Sequence, residues 1–156
     1  MNIIRIDKDN LLNGEGIRVV VWTSGCSHHC HNCQNPETWD FNSGHEFNAE
    51  DKRYLFELLS KDYISGVTFS GGDPMYEKNR DDIFKLCREI KTEFPQKNIW
   101  LYTGYTLKEL VEMGFISQIS DIDVIVDGEF IENLKDYKYH WAGSTNQKIL
   151  RKGVDY

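Results

Sequence analysis

A nearly unbroken run of β-branched and aromatic residues, IRVVVWT at residues 17–23, constrains the fold more than any other feature of the sequence. Apolar side chains at consecutive positions are typical of a strand buried on both faces, whereas a half-exposed strand alternates apolar with polar residues. Three further short segments are expected to be strands, namely GVTFS at 66–70, NIWLYT at 98–103 and DIDVIVD at 121–127. Such strands need cover on both faces of their sheet, which is typical of parallel sheets.

Helical patterns separate these strands. Residues 48–61 form a predicted helix with Asn48 as its N-cap, and residues 79–94 carry apolar side chains at helical spacing. Thr106 and Glu109 have the spacing of a capping box, which opens a third, shorter helix. Strands that alternate with helices indicate an α/β fold with right-handed crossovers between parallel strands.

The length of the chain limits how much of a barrel it can build. A complete barrel of eight strand–helix units takes about 250 residues, and this chain has 156. We therefore predict a single domain over residues 1–156. A chain of this length, with strands and helices alternating, is expected to form an α/β fold around a parallel sheet.

The motifs that can bear chemistry follow the predicted strands. The cysteine-rich loop follows the strand at 17–23, GGDP follows the strand at 66–70, and TGY and DG follow the next two strands. In parallel sheets, binding and catalytic residues collect at the carboxyl ends of the strands. All of these motifs are therefore expected at one edge of the sheet, which makes that edge the candidate site.

The charge of the chain disfavours some classes of partner. Asp and Glu number 25 against 18 Lys and Arg, which gives a net charge of −7. We therefore expect neither nucleic acid nor an anionic membrane as the main partner, because both require a local positive excess. The start of the chain, MNIIRIDKDN, carries charges where a signal peptide needs an apolar run, so we expect a cytoplasmic location. In that reducing compartment, closely spaced thiols indicate metal or redox chemistry rather than disulfides.

Three of the four cysteines lie in GCSHHCHNC at residues 25–33, where Cys26, Cys30 and Cys33 form the pattern C-x3-C-x2-C. Thiolates are soft ligands that favour zinc or iron–sulfur centres. A zinc site would take a fourth ligand from the histidines of the loop, which are His28, His29 and His31. An iron–sulfur cube would take three thiolates and keep its fourth iron open to an external ligand. Spacing alone leaves both interpretations open, but the position of the loop at the functional edge of a sheet favours the cluster.

The cysteine pattern and the glycine motif together resemble the radical S-adenosylmethionine superfamily. C-x3-C-x2-C follows one strand, and Gly71-Gly72-Asp73-Pro74 ends the next. The resemblance implies an incomplete βα barrel of the radical-SAM type, with about five to six mostly parallel strands and an open lateral cleft. It also implies that the chain binds one 4Fe–4S cluster and S-adenosyl-L-methionine. The amino and carboxylate groups of that cofactor would bind the open iron. Its reductive cleavage would give a 5′-deoxyadenosyl radical, which abstracts hydrogen from the substrate.

The order of the remaining motifs narrows the resemblance. SGGDP (70–74), IWLYTGY (99–105), VDGEF (126–130) and WAGSTNQ (141–147) follow the cysteine segment. In order and spacing they are similar to the family of anaerobic ribonucleoside-triphosphate reductase activating proteins, from residue 13 to residue 147. This resemblance implies an activating enzyme that generates a glycyl radical near the C-terminus of the reductase. It also implies a low-potential electron donor such as flavodoxin.

The resemblance assigns roles to individual residues. The cluster ligands, which are catalytic through the cluster, would be Cys26, Cys30 and Cys33. Contacts with S-adenosylmethionine are implied for Asn32, Cys33, Gln34, Gly71, Gly72 and Asp73. Ala142 stands where the family frequently has an arginine, so no contact made by that arginine is transferred to this chain.

Two other functions stay open at this point. One is a radical enzyme that acts on a small molecule, as in the family of 7-carboxy-7-deazaguanine synthases, whose Gly-Glu-Gly near the start is echoed by Gly14-Glu15-Gly16. The other is a zinc-binding module without enzymatic activity. Asp127 is a candidate for a further cofactor contact because it ends a strand at the same edge. Cys87 lies on the apolar face of its predicted helix and is expected in the core.

Overall fold

The computed structural model describes residues 1–156 and contains one sheet of seven strands in the order β3-β1-β2-β4-β5-β6-β7. The strands are β1 (Asn2–Asn10), β2 (Arg18–Thr23), β3 (His45–Glu46), β4 (Gly66–Gly71), β5 (Asn98–Tyr102), β6 (Val124–Asp127) and β7 (Lys148–Arg151). β2, β4, β5 and β6 are mutually parallel, as predicted. The α/β class is therefore confirmed.

Three antiparallel strands extend this parallel centre, so the sheet has more strands than the five to six expected from the sequence. β1 pairs with β2 and β3, and β7 pairs with β6. β3 and β7 are the two edges, so the sheet does not close on itself. The sequence pattern missed these strands because they are short or mix charged with apolar residues, as in NIIRIDKDN of β1. Pairing with a neighbour, rather than local periodicity, makes them strands.

The three helices are α1 (Ala49–Leu59), α2 (Arg80–Glu93) and α3 (Leu107–Glu112). Asn48 caps α1, since its side chain accepts hydrogen bonds from two amides of the first turn. Thr106 and Glu109 form the predicted capping box at the start of α3. None of the helices is long and apolar enough to cross a membrane.

The helices pack on one face of the sheet, which we call the helix face. Alternate residues of each strand point to this face, as strand geometry requires. They join the helices in one buried cluster that includes Val19, Val21, Val67, Phe69, Ile99, Leu101, Leu55, Leu59, Ile83, Cys87 and Ile90. Cys87 is fully buried there, which confirms its assignment to the core.

The opposite face, which we call the cleft face, is lined by both polar and apolar groups. Trp100, Val124 and Val126 form a small buried cluster on it, and Trp141 packs edge-on against Trp100 with ring centroids 5.4 Å apart. The remaining side chains of this face border a cleft that opens at the carboxyl ends of β2, β4, β5 and β6.

Arg18 closes the opposite, amino-terminal end of the cleft face. Its guanidinium is fully buried and donates hydrogen bonds to the Thr68 hydroxyl at 2.8 Å and to the Asn98 side-chain oxygen at 2.6 Å. It also donates to the carbonyl of Val67 and lies over the Trp100 ring, 5.4 Å from the ring centroid. Burial lowers the pKa of Arg18 to about 10, so the group stays charged at neutral pH. One cation thus ties β2, β4 and β5 together at the end away from the motifs.

Candidate metal centre and cofactor cleft

The cysteine loop leaves β2 through a short, well-anchored segment. Gly25 has φ of +101°, a conformation that favours glycine. Its amide donates to the carbonyl of Thr38 at 2.8 Å, and the Cys26 amide donates to the carbonyl of Trp39 at 3.1 Å. The stem of the loop is therefore held by the residues that follow it in sequence, which form a short 3-10 helix at Pro36–Thr38.

The three loop thiols are free and half-buried, and all three line the same cleft. Burial raises the pKa of the Cys26 thiol to about 11 and also raises the pKa of Cys30. A bound cation reverses this effect, because a thiol that coordinates a metal is deprotonated. The donor set therefore fits a thiolate-ligated metal centre.

The arrangement of the ligands also separates the two metal interpretations. A closed zinc site brings four side chains to within about 2.3 Å of one ion. No three His, Cys, Asp or Glu side chains of the chain converge in this way. A cube spreads its cysteines over different irons, so thiols that face one cleft without meeting at a point fit a cluster.

The glycine motif lies directly against the cysteine loop. The Gly72 amide donates to the carbonyl of Thr23 at 2.9 Å, and the Asp73 amide donates to the carbonyl of Gly25 at 2.8 Å. A Cβ on Gly71 would lie 2.5 Å from the Thr23 oxygen, and one on Gly72 would lie 2.4 Å from the Gly25 oxygen. These glycines are therefore required for close approach of two backbone segments, which places the GGDP turn beside the thiols.

Asp73 is buried, and its carboxylate is engaged by protein groups. Oδ1 accepts a hydrogen bond from the Met75 amide at 2.8 Å. Oδ2 accepts from the Thr103 hydroxyl and from the Gly104 amide, both at 3.1 Å. Asp73 thus fastens the end of β4 to the end of β5.

His28 joins the cysteine loop to this carboxylate. Nε2 lies 2.9 Å from Oδ2 of Asp73, and Nδ1 lies 2.8 Å from Oε1 of Glu129, which follows β6. The Nε2–H bond does not point straight at the Asp73 oxygen, so this contact is an ion pair rather than an aligned hydrogen bond. The Asp73 contact raises the pKa of His28 to about 9 against the opposing effect of burial, and Glu129 adds to the rise. Two flanking carboxylates favour the imidazolium.

The sequence offers His28, His29 and His31 as equivalent candidates for a fourth zinc ligand. His28 instead makes specific contacts, while His29 stacks on Trp39 with ring centroids 4.7 Å apart and His31 is exposed. Nothing in the local pattern distinguishes the three. The three histidines differ because the segments after β4 and β6 meet the loop at His28 in the folded chain.

The cleft has a volume of about 510 Å³, which suits a cofactor-sized molecule. Gln34, Gly71, Gly72 and Asp73 line it together with the cysteines, so the fold brings most of the predicted cofactor residues into one place. Asn32 is exposed, has φ of +55° and lies outside the lining.

The floor of the cleft includes two residues that the sequence did not point to, Arg5 and Asp7. Trp22 Nε1 donates to Asp7 Oδ2 at 2.6 Å, and Arg5 Nε donates to Asp7 Oδ1 at 3.0 Å. The Tyr102 hydroxyl is buried without a hydrogen-bond partner, and burial raises the pKa of Tyr102 well above its usual range. Arg5 and Asp7 were missed because β1 itself was not predicted.

Hydrogen bonds within the protein hold both Asp127 and the WAGSTNQ segment in place. Asp127 is buried and accepts hydrogen bonds from the Leu107 amide at 2.8 Å and from the Lys148 amide at 3.3 Å, so it ties α3 and β7 to β6. The WAGSTNQ segment forms a wall of the cleft, because Gln147 donates to the Gly128 carbonyl at 2.9 Å and accepts from the Gly143 amide at 2.8 Å.

Comparison with known proteins agrees with this site. The model of the 4Fe–4S single cluster domain family matches residues 12–150, which include all three loop cysteines and the GGDP turn. The fold and the thiol-lined cleft therefore define a protein of the 4Fe–4S single cluster domain class.

Proteins similar to this chain indicate a narrower family within this class. A protein of Enterobacteria phage T4 is 40% identical over 149 residues, which cover 96% of this chain and 93% of the phage protein. Proteins of Vibrio cholerae and of Escherichia coli K12 are 41% and 39% identical, over 91% and 90% of this chain and 92% of each relative. All three are named anaerobic ribonucleoside-triphosphate reductase-activating protein. The chain belongs to this family of activating proteins.

Proposed function

We propose that the chain is an activating enzyme that generates a glycyl radical on anaerobic ribonucleoside-triphosphate reductase, by reductive cleavage of S-adenosyl-L-methionine at a 4Fe–4S cluster. One observation carries the proposal. The three thiols and the GGDP turn line one cleft at the carboxyl ends of parallel strands, in a chain whose relatives are named for activation of that reductase.

Different residues of the cleft bind the cluster and the cofactor. Cys26, Cys30 and Cys33 would hold three irons of the cluster and leave its fourth iron without a protein ligand. The backbone of the Gly71–Gly72 turn and the side chain of Gln34, which line the cleft, would bind the methionine portion and neighbouring parts of S-adenosylmethionine, whereas Asn32 lies outside the lining. Asp73, whose carboxylate already accepts protein hydrogen bonds, contributes to cofactor binding by holding the turn.

The bound groups supply chemistry that side chains lack. A 4Fe–4S cluster and S-adenosylmethionine held in this cleft would supply reductive cleavage of the cofactor and the hydrogen abstraction that generates the glycyl radical. The polypeptide brings the reacting atoms to within about 3–3.5 Å and excludes water. The reducing electron comes from a low-potential donor such as flavodoxin.

The open sheet explains how a protein substrate reaches the cleft. We propose that the fold is an incomplete barrel of the radical-SAM type, with β3 and β7 as free edges. The C-terminal glycine segment of the reductase enters between these edges. The small-molecule alternative gains no support from Gly14-Glu15-Gly16, because Glu15 pairs with Arg151 outside the lining of the cleft.

Anaerobic reconstitution with iron and sulfide tests the proposal. The purified chain should bind about four irons, cleave S-adenosylmethionine when reduced, and produce a glycyl-radical doublet in the electron paramagnetic resonance spectrum after mixing with its reductase. A Cys33→Ala protein is the control and should do none of these. A wild-type chain that binds one zinc, or that cleaves the cofactor without forming the doublet on the reductase, would contradict the proposal.

A further inference from the structure

The middle of the cysteine loop depends on side chains for its position. Residues 27–32 make no backbone hydrogen bond to another segment of the chain. The backbone anchors of the loop lie at its start, where Gly25 and Cys26 bond to Thr38 and Trp39. Cys30 thus lies on a stretch that no backbone hydrogen bond ties to the rest of the fold, although three irons require three fixed thiols.

Besides the stacking of His29 on Trp39, His28 attaches this stretch to the strand ends, because its ring is held on several sides. The two nitrogens contact Asp73 and Glu129, and the ring meets Tyr105 edge-on with centroids 4.6 Å apart. A Cβ on Gly104 would lie 2.4 Å from the ring, so the histidine rests directly on the backbone of the turn after β5. Its side chain is 11% exposed.

These contacts connect four strand ends through one side chain. His28 belongs to the loop after β2, Asp73 to the turn after β4, Gly104 to the turn after β5 and Glu129 to the segment after β6. Asp73 is itself bonded to Thr103 and Gly104 and carries the GGDP turn. The position of the thiols is thereby coupled to the position of that turn.

We propose that His28 is a positioning residue that holds the cysteine loop against Asp73 and so sets the distance between the open iron and the GGDP turn. The inference rests on the proposed function, since it concerns where S-adenosylmethionine is held. Both ring nitrogens of His28 are directed to protein carboxylates, so its role is to position the loop rather than to ligate iron. Loss of the polar contacts of His28 should leave the three cysteines available to bind iron. It should loosen the position of the cysteine loop relative to the GGDP turn, and so weaken binding of the cofactor between them.

A pair of substitutions at His28 separates polar contact from packing. His28→Phe keeps a ring but removes both nitrogens, whereas the amide nitrogen of His28→Gln lies near the position of Nε2 and can donate to Asp73. The matched control is His31→Phe, which changes an exposed histidine of the same loop. Each protein is reconstituted anaerobically, and iron content, the Kd for S-adenosylmethionine and the resonance spectrum of the reduced cluster with and without the cofactor are measured.

We expect His28→Phe to retain most of its iron but to bind S-adenosylmethionine about tenfold more weakly, the lower end of the effect of groups that orient metal ligands. The cofactor-induced change in its spectrum should be broadened. His28→Gln should recover part of the affinity, and His31→Phe should match the wild type. An affinity for His28→Phe within about twofold of the wild type, well inside that expected effect, or a His28→Gln protein no better than His28→Phe, would overturn the proposal.

Two further measurements apply if His28→Phe fails to take up iron. Glu129→Gln changes the half-exposed partner of His28 Nδ1 and leaves Asp73 in place. It should weaken binding of S-adenosylmethionine by a smaller factor than His28→Phe. An unchanged Kd would count against the positioning role of His28. In the apoprotein, hydrogen exchange at the Cys26 and Gly104 amides should be faster for His28→Phe than for His31→Phe, and equal rates would overturn the inference. If the wild type itself shows no cofactor-induced spectral change, the proposed function fails rather than the role of His28.

Discussion

The four cysteines differ only in their surroundings. Cys26, Cys30 and Cys33 line a cleft in a loop, whereas Cys87 is enclosed by the core of the helix face. Burial raises the pKa of Cys87 far above its usual range, so this thiol is inert. A thiol in a cleft can meet a metal, and a thiol among leucines and isoleucines acts as a small apolar side chain.

Alanine substitutions should separate these two roles. Cys33→Ala should lower the iron bound after reconstitution by about tenfold or more, while the unfolding free energy of the apoprotein changes by less than about 0.5 kcal/mol. Cys87→Ala should keep its iron and lose about 1 kcal/mol of stability, because it leaves a small void in the core. Iron analysis and urea denaturation of the apoproteins check both. A colourless Cys87→Ala protein would contradict the core assignment.

Glycines at the site can be tested against a glycine elsewhere. Gly71 and Gly114 both have positive φ, of +109° and +86°, but only Gly71 has backbone within reach of an added Cβ. Gly71→Ala should lower the free energy of unfolding by about 2–4 kcal/mol, from backbone strain plus overlap with the Thr23 carbonyl. Gly114→Ala should cost only about 1 kcal/mol. Equal losses in urea denaturation would show that the close approach of Gly71 to the end of β2 does not add to the cost of the substitution.

At the scale of the elements, the parallel strands are joined differently at their two ends. The carboxyl ends carry loops, thiols and glycine turns, whereas the amino ends are tied by the buried guanidinium of Arg18. A buried cation is tolerated only when its donors are satisfied, and Arg18 donates to side-chain and backbone oxygens of β4 and β5. The buried charge that ties the strands together and the thiols and glycine turns of the candidate site thus lie at opposite ends of the same strands.

Removal of this cation should destabilise the sheet without touching the metal centre. Arg18→Met should lower the unfolding free energy of the apoprotein by about 3–5 kcal/mol, because buried oxygens lose their donors. Arg53→Met, which removes an exposed arginine paired with Glu57 on α1, should change it by less than about 0.5 kcal/mol. Iron bound per folded molecule should be unchanged in both. A small effect of Arg18→Met would mean that the strand pairing does not depend on the guanidinium.

At the scale of the whole molecule, the free edges of the sheet leave the cleft open to a large partner. Leu12 lies at the rim of the cleft and is 81% exposed. Val154 is also 81% exposed but does not line the cleft. Exposed apolar side chains at the rim of a site are candidates for contact with a partner, whereas isolated ones elsewhere are common.

Charge introduced at these two positions should affect the reductase differently. Leu12→Asp should weaken binding of the reductase by about tenfold, the loss typical of an apolar interface residue. Cofactor binding and iron content should stay at wild-type values. Val154→Asp should bind the reductase like the wild type. Isothermal titration of each variant with the reductase measures both affinities. Equal weakening of the two variants would show that the cleft rim is not the docking surface.

The sequence alone determined the parallel centre of the sheet, the helix caps, the position of the cysteine loop at the carboxyl end of β2 and the glycines of the turn. Each of these depends on local information, because strand period, capping spacing and ligand spacing are written over a few consecutive residues. The comparisons bear out the family that these motifs indicated.

Only the tertiary structure decided that β1, β3 and β7 extend the sheet, that Arg5 and Asp7 form the floor of the cleft, and that His28 meets Asp73 and Glu129. His28 and Glu129 are 101 positions apart in the sequence. Such contacts form because packing of the parallel strands brings their carboxyl ends together, and no local pattern records which distant side chains will then be neighbours.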